Sequence, residues 1–157
     1  MISRLHLHPS SQLVAPTISL DMAAFFQYAG SVGESCQKHG FSNATVLPAN
    51  ARIAVTAGQA GVDLVTGKLV ESSPADQIGA AFDCCDAALK AAGVAQGLAS
   101  AHKILSFFLD TRYEPLMMEI WRSRYPNRRP TWTCVGSSSL CMQGMICEIQ
   151  AEAILED

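Results

Sequence analysis

The 157-residue chain is 49% hydrophobic and 16% charged, one domain's length and a globular composition that excludes a disordered chain. Its 11 Lys and Arg against 14 Asp and Glu leave a formal charge of −3, so nothing in bulk draws it to nucleic acid or an anionic membrane. No run reaches the roughly 18 apolar residues that span a bilayer, and residues 1–8 lack the apolar stretch of a secretory signal, so a cytoplasmic protein is expected.

Residues 1–16 read as an extended or irregular arm in which Leu5 and Leu7 alternate with His6 and His8. Two histidines without a third ligand make a surface pair, and no metal or other cofactor is expected. From Asp21 to His39 a helix is predicted, because Met22, Phe25, Phe26, Ala29, Val32 and Cys36 recur at three and four. Gly40 suits its stop, and His39 beside it reads as a capping cation. Residues 41–47 alternate weakly, and 52–56 (Arg-Ile-Ala-Val-Thr) read as a buried strand. Gly58 and Gly61 bracket a turn or bulge, and Thr66-Gly67 marks a second turn.

Ser73-Pro74 opens the clearest helix, with Ser at the N-cap and Pro in the first helical position. Ile78, Ala81, Phe82, Cys85, Leu89 and Ala92 form its buried stripe, and Gly93 ends it. Residues 100–109 read as an apolar strand carrying His102 as a satisfied core or edge histidine. A second helix is predicted over 113–125, with Leu116, Met117, Ile120 and Trp121 on one side. Strands follow at 131–135 and 145–154. Arg122, Arg124, Arg128 and Arg129 read as a solvated face or subunit contact, since no aromatic platform interleaves with them. The six cysteines contain no CxxC pair and read as reduced, mostly buried thiols.

The element order predicts an α+β fold: two helices on one face of a mixed, mostly antiparallel sheet, plus an extra N-terminal helix. The other face of the sheet needs a cover, and at this size that is another subunit. Residues 1–40 form an N-terminal arm and helix, and 41–157 the main domain.

Seven short pieces stand in a recognisable order: Phe41-Ser42-Asn43-Ala44, Val55-Thr56-Ala57-Gly58-Gln59, Thr66-Gly67-Lys68-Leu69-Val70, Gln77, Ala88-Leu89-Lys90-Ala91-Ala92-Gly93, Pro130-Thr131-Trp132-Thr133-Cys134-Val135 and Glu148-Ile149-Gln150-Ala151. Together they resemble the Rid family, also called YjgF or endoribonuclease L-PSP proteins, over residues 41–154. The first 40 residues lie outside the resemblance. It implies a chorismate-mutase-like fold, a homotrimer, and a pocket at each subunit interface. It also implies hydrolysis of 2-imino acids or their enamine tautomers, with an Arg that forks onto the substrate carboxylate.

In that Arg position this chain has Trp132, which offers one N–H and a large apolar face. Phe41 and Ala57 stand where the family has Tyr and Ser, and Met118 falls near the family Asn. Cys134 and Glu148 are retained. Pro-x-Trp-Thr resembles a distinct subgroup. Without the anion grip, a charged imino acid would lose several kcal/mol in desolvation, whereas a neutral, flatter compound suits Phe41, Trp132 and Met118.

The expected function is therefore a cofactor-free enzyme in which Glu148 is a general acid or base acting on an apolar carbonyl, enamine or imine compound. Tailoring of a secondary metabolite by hydration, isomerisation or cyclisation fits such a pocket. Trp132, Phe41, Cys134, Ala57 and Met118 are the expected substrate-binding residues, with Cys134 on the same strand face as Trp132. The alternatives are a residual enamine or imine deaminase and a non-catalytic, small-molecule-binding or chaperone-like trimer. A ribonuclease ranks last on net charge.

Overall fold

Ser73 does what its position predicts. In the computed structural model, which describes residues 22–155, its hydroxyl accepts the Asp76 N–H at 3.1 Å and donates to the Asp76 carboxylate at 2.7 Å. Pro74 follows in the first turn of a helix, Pro74–Ala91. Seven strands and three α-helices make up the described residues: β1 Ala24–Phe26, α1 Ser31–His39, β2 Ala44–Val46, β3 Ile53–Val55, β4 Gln59–Ala60, α2 Pro74–Ala91, β5 Ala101–Phe108, α3 Glu114–Arg124, β6 Thr131–Gly136 and β7 Cys147–Ile154.

The main sheet runs β3-β7-β5-β6, with β4 also on β7. The β5–β6 pair is parallel and the others are antiparallel. Period-two alternation divides the two long strands. Ile104, Ser106 and Phe108 of β5, with Cys147, Ile149, Ala151 and Ala153 of β7, are buried. They share one core with Ile78, Phe82, Cys85 and Leu89 of α2 and Met117, Met118 and Trp121 of α3. Each large side chain in that set contributes on the order of 1.5–3 kcal/mol by burial. The alternate residues Leu105, Phe107, Glu148 and Gln150 point to the sheet's other face and are only partly buried. The α+β class, the mixed sheet and the two helices over one face are as expected.

Gln77 is a buried clamp near the start of α2. Its amide donates to the carbonyls of Val70 at 2.8 Å and Gly144 at 3.2 Å, and its oxygen accepts the Ile146 N–H at 2.7 Å. The side chain thus satisfies backbone groups from two loops that have no ladder partner there.

Three expectations need correction. The helix predicted from Asp21 is split: Ala24–Phe26 forms a strand antiparallel to β2, and α1 begins only at Ser31. Gly30, at φ +96°, sits in the left-handed region and ends the extended segment. The supposed apolar stripe is no buried face, because Met22, Phe25 and Val32 are all exposed. Between Gly58 and Gly61 the chain forms the short strand β4. Ala92 is the exposed C-cap of α2 and takes no part in the stripe. The segment 1–16, with His6 and His8, lies outside the described residues. No helix among the described residues is long and apolar enough to cross a membrane.

Candidate functional site

Strand β6 is the sheet edge, and its parallel register with β5 aims its side chains. Trp132 pairs with Ile104 and Cys134 with Ser106, so both face the helices, as period two requires. The Trp132 indole N–H donates to the Ser106 hydroxyl at 3.0 Å. Its ring meets Trp121 edge-on at 5.2 Å and Phe82 at 6.3 Å between centroids. With its one donor bonded and two aromatic neighbours, the indole is a fixed wall.

Phe41 reaches the same place from the loop after α1. The Ser42 N–H donates to the Pro130 carbonyl at 2.9 Å and the Ser42 hydroxyl to the Arg129 carbonyl at 2.6 Å. These bonds tie the loop to the start of β6. Met118, on α3, is 1% exposed and closes the floor. Phe41, Met118, Trp132 and Cys134 thus line one cleft of about 370 Å³. Four of the six residues proposed from sequence come together there. Desolvation pushes the Cys134 thiol above its ordinary value; a hydrogen bond with Ser106 offsets part of this, and the charge of Glu114 adds to it. The neutral thiol is therefore favoured, which suits a wall more than a nucleophile.

The same cleft holds residues that sequence reasoning passed over. Cys36 and Ser35 line it from α1, and His39 and Glu114 stand together in it. The His39 Nε2 lies 2.7 Å from the Glu114 carboxylate, and the ring meets Phe41 edge-on at 5.8 Å. The Arg122 guanidinium donates to the His39 carbonyl. His39 does end a helix, but its side chain pairs with Glu114, 75 residues on. Only the tertiary fold brings the two together.

Glu148 lies elsewhere. On β7 it pairs with Phe107 of β5 and so points to the opposite face of the sheet from Trp132. There it lines a second cleft of about 310 Å³ with Phe107, Ser139, Leu140 and Cys141. Gly58 packs directly against it: a Cβ at that position would overlap the Glu148 carboxylate. Ala57, next in the chain and exposed, belongs to this side. Within one chain, then, Glu148 and Ala57 do not share the cleft of Phe41, Met118, Trp132 and Cys134.

The arginines are engaged internally. Arg124 pairs with Asp83 at 2.6 Å, Arg128 donates to Gln96 at 3.0 Å, and Arg129 donates to the carbonyls of Gln37, Pro126 and Arg128. His102 is 3% exposed, and its Nδ1 is buried without a hydrogen-bond partner, so it is not the satisfied histidine expected. Its Nε2 lies 3.6 Å from Glu152, and burial outweighs that carboxylate to hold the imidazole pKa below its ordinary value.

Residues 34–155 match the family model described as Endoribonuclease L-PSP. The match starts seven residues before the sequence resemblance and takes in most of α1. No curated protein matches the chain. Among solved structures, YyfB of Yersinia pestis, described as a protein of unknown function of the conserved Rid family, superposes with a TM-score of 0.71 at 17% identity, covering 85% of this chain and 98% of its own. The E. coli YjgF gene product gives 0.57 at 22% identity, covering 68% and 84%. E. coli TdcF, solved with bound serine, gives 0.58 at 22% identity, covering 69% and 84%.

Proposed function

From the premise that the chain belongs to the Rid/YjgF family, whose model is described as Endoribonuclease L-PSP, we propose that it is a cofactor-free enzyme for a small, neutral, rather apolar carbonyl, enamine or imine compound. The substrate lies in the Phe41–Trp132 cleft. The protein works as a homotrimer in which Glu148 of a neighbouring subunit closes that cleft and serves as acid or base. Hydration, isomerisation or cyclisation in a secondary pathway is the reaction type this favours.

One observation carries the substrate class. The indole of Trp132 fills the wall, with its only donor bonded to Ser106, and among the described residues no Lys or Arg lines the cleft. The charged carboxylate there, Glu114, would repel an anionic substrate. A carboxylate entering such a site loses water without gaining a cation. The trimer is favoured because Glu148 and the half-buried Leu105 and Phe107 share a sheet face that the helices do not cover. That TdcF holds serine fits a family cleft that accepts small molecules.

Calorimetric titration tests the substrate class. Cyclohexanone is expected to bind more tightly than 2-oxobutyrate of similar size, and the reverse order would refute it.

A further inference from the structure

The cleft contains a histidine–carboxylate pair that the reading above leaves unused. His39 ends α1 and Glu114 begins α3. Their side chains meet at 2.7 Å inside the Phe41–Trp132 cleft. Resting on that reading, we propose that His39, held by Glu114, is a second acid–base group of the cleft and takes a proton from the substrate carbon beside the carbonyl or imine.

The tautomer follows from the contact. A Glu114 carboxylate can only accept, so it binds the ring as Nε2–H and leaves Nδ1 with its lone pair. Among the described residues Nδ1 makes no hydrogen bond, and it is not one of the buried, orphaned atoms. Nδ1 is thus the ring's free basic nitrogen, in a side chain that is 40% exposed. The groups around the pair are the Arg122 guanidinium on the His39 carbonyl and the thiols of Cys36 and Cys134. Neither thiol carries charge in its neutral form, and the guanidinium is committed to the backbone. Glu114, in contact with the ring at 2.7 Å, is therefore the carboxylate placed to stabilise the imidazolium as it forms.

The step balances. Neutral His39 takes the α proton through Nδ1, and the C–H electron pair becomes the C=C bond of the enol or enamine. The carbonyl oxygen or imine nitrogen takes a proton from the carboxyl of Glu148 of the partner subunit. The reverse transfers, with a solvent deuteron on His39, return the compound deuterated.

Exchange of the α protons of cyclohexanone in D₂O, followed by NMR, tests this, with binding checked separately by Trp fluorescence. The wild type should exchange faster than buffer, and His39→Gln should lower that rate roughly 100-fold. Glu114→Gln should lower it less, because the ring keeps its place but loses the charge. Added imidazole should restore exchange in His39→Gly, which a merely structural His39–Glu114 link would not allow. Wild-type exchange in His39→Gln with none in Glu148→Gln would overturn the dyad and leave the proposed function standing. Binding without exchange in the wild type would also overturn the dyad. Absence of binding would overturn the proposed function and this inference with it.

Discussion

The two faces of the main sheet differ in how far one chain completes them. On the helix face the large aromatic residues are matched: Phe82, Trp121 and Trp132 interlock, the Ser106 hydroxyl accepts the indole N–H, and the cleft beside them has a floor and walls. On the other face Glu148 stands in a shallow cleft beside half-buried Phe107, and Val55 is 56% exposed. The first face builds a binding wall from a single chain. The second offers a carboxylate and apolar surface that the described helices leave uncovered. A site that needs both must join two copies.

That contrast is sharpened first by truncating the interlocked side. Phe82 is fully buried against Trp121 and Trp132, so Phe82→Ala should cost about 3–5 kcal/mol in urea unfolding. A loss near 1 kcal/mol would mean the core collapses onto the gap, and the wall would not be rigid.

A smaller effect comes from His102, buried near the start of β5 with its Nδ1 unpaired. Desolvation holds its folded pKa below the ordinary 6.5, against the opposing pull of Glu152. The unfolded chain therefore binds the proton more readily. Its contribution is complete above pH 6.5 and is lost as the pH falls through the folded value. Stability measured from pH 7.5 to 5 should fall in the wild type and fall less steeply in His102→Gln. Parallel curves would show that the slope comes from elsewhere.

The smallest effect on the chain itself is expected on the open face. Phe107→Asp removes a half-buried side chain and sets a carboxylate opposite Glu148, and should cost the chain about 1 kcal/mol. Light scattering should nonetheless show the proposed trimer giving way to monomers. An intact trimer would place the subunit contact on another face.

Sequence reading found the elements whose signals are local. The Ser73-Pro74 start of α2, the strands read over β5 and β7, and the helix stops at Gly40 and Gly93 all behave as read. Clustered apolar residues misled where Gly30 breaks the chain, because a three-and-four pattern over 21–39 does not require one continuous helix. Strand periodicity correctly put Cys134 beside Trp132. It gave no way to see that Glu148 faces away from both, since that depends on the register of β7 against β5 and β6. The His39–Glu114 pair, 75 residues apart, leaves no pattern in the sequence at all.

The central claim is that Glu148 of one subunit faces the Cys134 cleft of the next. Glu148→Cys combined with Cys141→Ser, treated with a short bismaleimide and digested for mass mapping, tests it directly. The account predicts a cross-link between position 148 and Cys134 of different chains, seen as covalent dimers and trimers that disappear when Cys134 is also changed to Ser. Cross-links confined to one chain, or oligomers joined through cysteines other than Cys134 and its cleft neighbour Cys36, would contradict it.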